Sequence, residues 1–181
     1  MITYLKNIAL RMPPKVFVDT NIIVDFLTKR HPFDVPAAQL FNRADKGEIE
    51  ACVPASVFPF LFYLLSKLLS SRADAWMVVA QFRQLVTLVP VDKRIVDLAL
   101  ASDFKDLEDA IQYQVAAING MQFFITRNLK DFKGAAIPVM TAEAFLRQFH
   151  IAKLHINVRC TPVEFTPKPL AGSPSTIPRR C

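Results

Sequence analysis

The sequence predicts an α/β domain built on a mostly parallel sheet of about five strands. Short apolar runs rich in Val, Ile and Phe recur along the chain, and each is followed by a stretch with helical periodicity. Polar caps and single glycines sit at the joints between them. Strands alternating with helices of roughly 10–15 residues are the signature of βαβ units and a parallel sheet. With 181 residues, 52% of them apolar and 15 of them Phe, one domain can bury a full core without disulfides or a structural metal.

Residues 1–14 read as a lead that ends at Pro13-Pro14. Lys15–Val18 is a buried strand, and Asp19-Thr20-Asn21 then opens a helix over 22–27, an N-cap pattern. A helix over 36–46 stops at Gly47, and 48–53 is the second strand. Two helices follow over 55–70 and 73–85, broken at Ser71-Arg72, before a third strand over 86–91. Asp92 caps a helix to about Ala101, and Asp106 caps another that ends at Asn119-Gly120. The fourth strand is 123–126, a turn or short helix covers 128–132, and the fifth strand is 137–140. Thr141 caps a closing helix to Phe149. Five prolines in 161–181 leave little to bury, so 151–181 is expected to be a Pro-rich basic disordered tail after a domain over 15–150.

Composition narrows the setting. Cys52, Cys160 and Cys181 are odd in number and lack metal-ligand spacing, which suits a reducing, cytoplasmic environment. Met1 to Met12 has no apolar signal core. The stretch 53–69 holds Lys67 and two prolines, so it is expected to be a buried helix and not a membrane span. The net charge of +6 is concentrated in 151–181, where five basic residues face one acid, leaving 17 basic against 15 acidic in residues 1–150. Bulk charge is therefore a weak argument for nucleic acid.

In a parallel sheet, chemistry gathers at the carboxyl ends of the strands. Asp19 leaves the first strand, Thr126-Arg127-Asn128 leaves the fourth, and Asp106 and Asp109 lie three residues apart on one helix face. Converging carboxylates repel unless a cation lies between them, and oxygen ligands without His or Cys favour Mg²⁺ or Mn²⁺. Such an ion suits phosphodiester hydrolysis. The competing reading is structural, since Asp19 and Asp106 can each simply cap a helix. Asp103 and Asp131 are expected to be solvated, and Glu108 to point away from the Asp106/Asp109 face. The scattered His31, His150 and His155 support no His chemistry, and Phe58, Phe60, Phe62 and Tyr63 are expected in the core.

Three segments together, Val16-Phe17-Val18-Asp19-Thr20-Asn21, Asp106-Leu107-Glu108-Asp109-Ala110 and Phe124 to Phe132, resemble the PIN-domain family, in particular its VapC-like ribonuclease toxins. The resemblance covers about residues 15–149. It implies a three-layer α/β/α fold and a Mg²⁺- or Mn²⁺-dependent endoribonuclease site. Asp19, Asp106 and Asp109 would be the metal ligands, and Asn128 stands where some relatives carry a fourth acid. Asn21 and Thr126 would position the first acid and water or phosphate. RNA is the implied substrate and an antitoxin protein the implied partner, with no membrane attachment. The helix over 55–69 is open as core, homodimer surface or antitoxin groove. One departure stands out: the family's Glu after the second strand is missing from 56–63, where Phe60 takes its place. The alternative reading is therefore an inactive module that binds RNA or protein. A receiver-like phosphoacceptor lacks both its acidic pair and its late-strand lysine.

Overall fold

The computed structural model describes the backbone of residues 12–159 and the side chains of residues 12–150. Five strands make one sheet: β1 (Lys15–Val18), β2 (Glu50–Pro54), β3 (Thr87–Val89), β4 (Phe123–Ile125) and β5 (Val139–Met140). Their order is β3-β2-β1-β4-β5 and every pairing is parallel. Seven helices surround it among the described residues: α1 (Thr20–Leu27), α2 (Asp34–Asp45), α3 (Val57–Leu68), α4 (Arg72–Gln84), α5 (Lys93–Leu100), α6 (Leu107–Ile118) and α7 (Ala142–Arg159).

Side chains alternate across each strand, so each face of the sheet builds its own core. Val16, Val18, Ala51, Val53 and Ile125 pack with α1, α2, α3, α4 and α7 on one side. Phe17, Cys52, Val89 and Phe124 pack with α5 and α6 on the other. The result is the expected α/β/α sandwich. Its polarity matters for function. The chain steps outward from β1 to β2 and β3, then returns past β1 to β4 and β5, so the crossovers part at the β1/β4 boundary. Such a switch point opens a crevice at the carboxyl ends of the two strands, where Asp19 and Thr126 stand.

Local chemistry sets the joints. Gly47, with φ of +65°, ends the α2 turn in the left-handed region that a Cβ disfavours. Asp92 accepts from Ile95 N at 2.9 Å and Thr141 Oγ1 from Ala144 N at 3.2 Å, so both expected caps form.

Two expectations change, and one lies outside the described residues. The closing helix continues past Phe149 to Arg159, because no glycine or proline interrupts the chain before Pro162. Residues 1–11 and 160–181, and with them most of the expected lead and tail, lie outside the described residues. The helix over 53–69 is not buried all round: α3 buries one stripe, Val57, Leu61 and Leu65, and leaves Phe60 48% and Tyr63 64% exposed. Its neighbours Phe58 and Phe62 are half-buried. One helix packed on another covers only the facing stripe. No helix of the described residues is long and apolar enough to cross a membrane.

Phe17 and Phe124 stack across β1 and β4 with ring centroids 4.9 Å apart, and Phe132 closes on Phe124 at 4.6 Å. Phe124→Ala should cost about 4 kcal/mol in chemical denaturation, the usual loss for a buried aromatic. A loss below about 1 kcal/mol would show that this face tolerates a void and is not close-packed.

Candidate functional site

Asp19 is the first residue past β1 and the N-cap of α1, where its carboxylate accepts from Asn21 N at 3.3 Å. It is only 3% exposed. Its remaining capacity is met from two elements: Thr126, just past β4, donates its hydroxyl to Oδ2 at 2.5 Å, and Asn21 Nδ2, from the first turn of α1, donates to the same oxygen. Asn21 Nδ2 also donates to Thr126 Oγ1 at 3.1 Å, closing a triangle of side chains. The strand register dictates this meeting, because Val18 pairs with Ile125 and the next residue of each strand is therefore adjacent. The two readings of Asp19, cap and site acid, are thus compatible.

Burial raises the pKa of Asp19, and the bonds from Thr126, Asn21 and Gln112 pull it back, while the Glu108 charge adds to the rise. Asp109, on the first turn of α6, is pushed up to about 6, first by burial and then by the charges of Asp19, Asp106, Asp131 and Glu108. Four other carboxylates therefore act on Asp109 at the carboxyl edge of the sheet. Among the described residues none of the five is in an ion pair.

The sequence-predicted residues divide by how they meet. Asp19, Asn21 and Thr126 touch directly, and Asp109 lies within electrostatic reach. Asp106 caps α6, its Oδ1 accepting from Glu108 N at 2.8 Å and Asp109 N at 3.1 Å. Asn128 donates its backbone N–H to Thr126 Oγ1 at 2.9 Å and its side-chain amide to Asp131. Asp131 is exposed, as expected, yet close enough to act on Asp109.

Glu108 is exposed, as expected of a surface residue, yet it does not point away from the site. It lines a cleft with Thr20, Phe60 and Gln112, and its charge acts on both Asp19 and Asp109. The reason lies in α6 itself: Gln112, four residues on, donates Nε2 to Glu108 Oε1 at 3.2 Å and holds the carboxylate at the cleft.

Three residues that support the site were given no role in the sequence reading. Gln112 is 3% exposed, and its Oε1 accepts from Thr20 N at 3.3 Å, tying α6 to the turn that carries Asp19. A polar residue within the apolar stripe of α6, three positions after Asp109, was the available signal. Asp25 and Arg127 form an ion pair at 3.0 Å, with the Asp25 side chain fully buried and Arg127 27% exposed. Arg127 also sits over the Phe33 ring at 4.6 Å, and its backbone N–H donates to Asn21 Oδ1 at 3.3 Å. Asp25, one turn after Asn21 in an otherwise apolar run, was the signal there. Burial raises the Asp25 pKa, while Arg127 and then Arg30 oppose the rise and Asp34 adds to it.

Raised acids bind more protons folded than unfolded. Their contribution to stability is fully present below an ordinary 3.8 and is lost as pH rises through the folded value, about 6 for Asp109. Without divalent cations, the melting temperature should fall from pH 5 to pH 7, and Asp109→Asn should flatten the curve. An unchanged slope in that variant would assign the effect elsewhere. Arg127→Met leaves the Asp25 carboxylate without its counter-charge, so urea denaturation at pH 7 should show a loss of about 3 kcal/mol.

Comparison with known proteins agrees with this fold. The profile of the PIN domain matches residues 15–130. The chain is 29% identical over 144 residues to Ribonuclease VapC1 of Aquifex aeolicus, covering 75% of this chain and 96% of that protein. VapBC2 from Rickettsia felis, solved with a fragment of its promoter DNA, superposes with a TM-score of 0.54 at 15% identity. That match spans 70% of this chain and 98% of the other. A toxin–antitoxin complex from Klebsiella pneumoniae gives 0.53 at 22% identity, over 70% and 97%. These two likenesses speak for the fold alone. With the profile spanning more than half its length, the chain belongs to the PIN-domain family.

Proposed function

We propose that the chain is a divalent-cation-dependent endoribonuclease that cuts RNA phosphodiesters as the toxin of a toxin–antitoxin pair. The observation that carries the reading is the buried Asp19, fixed by Thr126 and Asn21 and facing Asp109 across a crevice rich in unpaired carboxylates. Likeness to Ribonuclease VapC1 over nearly the whole of that protein supports it.

The donor set is all oxygen, which suits Mg²⁺ or Mn²⁺. Among the described residues no three acidic, His or Cys side chains close around a common point. The fit is therefore to an ion held by one or two carboxylates, with water and substrate phosphate completing its shell, as is common for Mg²⁺. Asp19 and Asp109 would hold it, and Asp106, whose Oδ1 serves the α6 cap, adds charge. Bound there, such an ion neutralises charge on the phosphate and activates water for attack. The protein's own part is orientation. Thr126 and Asn21 lock the Asp19 carboxylate, Gln112 fixes the turn beneath it, and Asn128 sits on the rim beside Thr126 to position phosphate or water.

An antitoxin has a surface to use. Tyr63, Leu68, Leu69, Trp76 and Met77 leave an exposed apolar band along α3 and α4, of the kind that marks protein contacts or a homodimer face. A cytoplasmic site of action follows from the RNA substrate.

A second reading is favoured by one observation: Phe60 lines the cleft where the family's further acid would face the site. On that reading the domain binds RNA or protein without turnover. Calorimetry separates the two, since no Mg²⁺ or Mn²⁺ binding at millimolar concentration favours the inactive module. On the nuclease reading, Asp19→Asn abolishes cation-dependent cleavage. Thr126→Val, which removes only an orienting bond, lowers activity or metal affinity about 10–100-fold. Cleavage at the wild-type rate in Asp19→Asn would sink the site assignment.

A further inference from the structure

Beside the acidic crevice lies a cleft of about 330 Å³ between the first turns of α3 and α6. Phe60, Leu107 and Ile111 form its apolar walls, and Ser56, Glu108 and Gln112 bring polar groups to its edge. The cleft is continuous with the acid site, for Thr20 lines it and Gln112 bonds the Thr20 backbone next to Asp19. Phe60 is 48% exposed and Leu107 50%, and the two lie together on the wall of the cleft.

We propose that this cleft receives one unpaired nucleobase of the RNA, stacked on Phe60, beside the phosphate presented to Asp19. The proposal rests on the nuclease reading for the identity of the substrate. Three features choose a base over other occupants. Phe60 offers one flat apolar ring, which any base can cover with its π-face, and Leu107 and Ile111 add apolar contact around it. No Lys or Arg lines the cleft, and Glu108 adds a negative charge, so a phosphate is disfavoured there. The edge is rich in acceptors: Glu108 uses Oε1 for Gln112, leaving Oε2 to accept from the amino or imino N–H of a base. A duplex hides its bases, whereas a single strand can splay one out, so the cleft requires an unpaired base. Ser56 Oγ makes no capping bond to α3 and remains for the base edge. On this account the ring of Phe60 takes up substrate contact at the position where relatives carry an acid.

The test titrates the full chain with short single-stranded RNAs carrying 2-aminopurine at successive positions, in Mg²⁺ or Mn²⁺. Cleavage is read in the same samples. Wild type should quench the fluorescence strongly at one position. Phe60→Ala should lose that quenching and weaken binding about tenfold or more. Phe60→Trp should retain both. Phe60→Leu keeps the apolar bulk without the π-face, so it separates stacking from packing and should behave like Phe60→Ala. Equal affinity and quenching in Phe60→Ala and wild type, as when a partner protein fills the cleft instead, overturns the proposal. Quenching that depends on Phe60 without any cleavage keeps the base site and overturns the nuclease reading. Cleavage that is indifferent to Phe60 does the reverse.

Discussion

Burying a carboxylate costs several kcal/mol unless the protein replaces the water it loses. At Asp19 that replacement comes from the fourth strand and from the first turn of the helix Asp19 itself caps: Thr126 Oγ1, Asn21 Nδ2 and Asn21 N all point at one side chain. The β1/β4 pairing cannot slip without breaking this set, because a one-residue shift would turn Thr126 to the other face of the sheet. The parallel sheet, the switch point between its halves and the acid at its edge thus form one constraint.

A second layer lies beneath the first. Asp25, one turn along α1, holds Arg127, the residue between Thr126 and Asn128. Arg127 in turn covers Phe33 and donates its backbone N–H to Asn21 Oδ1. The loop after β4 is therefore clamped from below by an ion pair and from the side by an amide, and Asn128 is delivered to the rim by a backbone that has little freedom. On the opposite side Gln112 does the same for the start of α1. Orienting groups of this kind are what keep a few carboxylates in working position.

Most of the scaffold was legible because its signals are local. Caps at Asp19, Asp92, Asp106 and Thr141, and the stop at Gly47, are set by residues within a turn of each other. The apolar runs fixed the strands for the same reason. The pairing of Asp25 with Arg127 was not legible, since its partners are joined only by the fold. Glu108 was misplaced because helical spacing gives a direction around an axis, while Gln112 and the neighbouring α3 decide which direction is inside. The exposure of Phe60 and Tyr63 was missed because an apolar run looks the same whether it is covered or left open. The end of α7 was missed because the Pro-rich composition that begins at Pro162 was extended back over 151–159, a stretch with no proline or glycine of its own.

The hydrogen bond between Thr126 and Asp19 joins residues 107 positions apart. Contacts of that span close late, after the intervening strands and helices are in place. At ordinary rates of synthesis, roughly 5–20 s separate the emergence of one partner from that of the other. Throughout that interval Asp19 has no β4 to lean on, and the first acid is an ordinary, water-exposed carboxylate. The acid site of a chain still being made is thus unassembled, and it forms only once synthesis has carried the chain past Thr126.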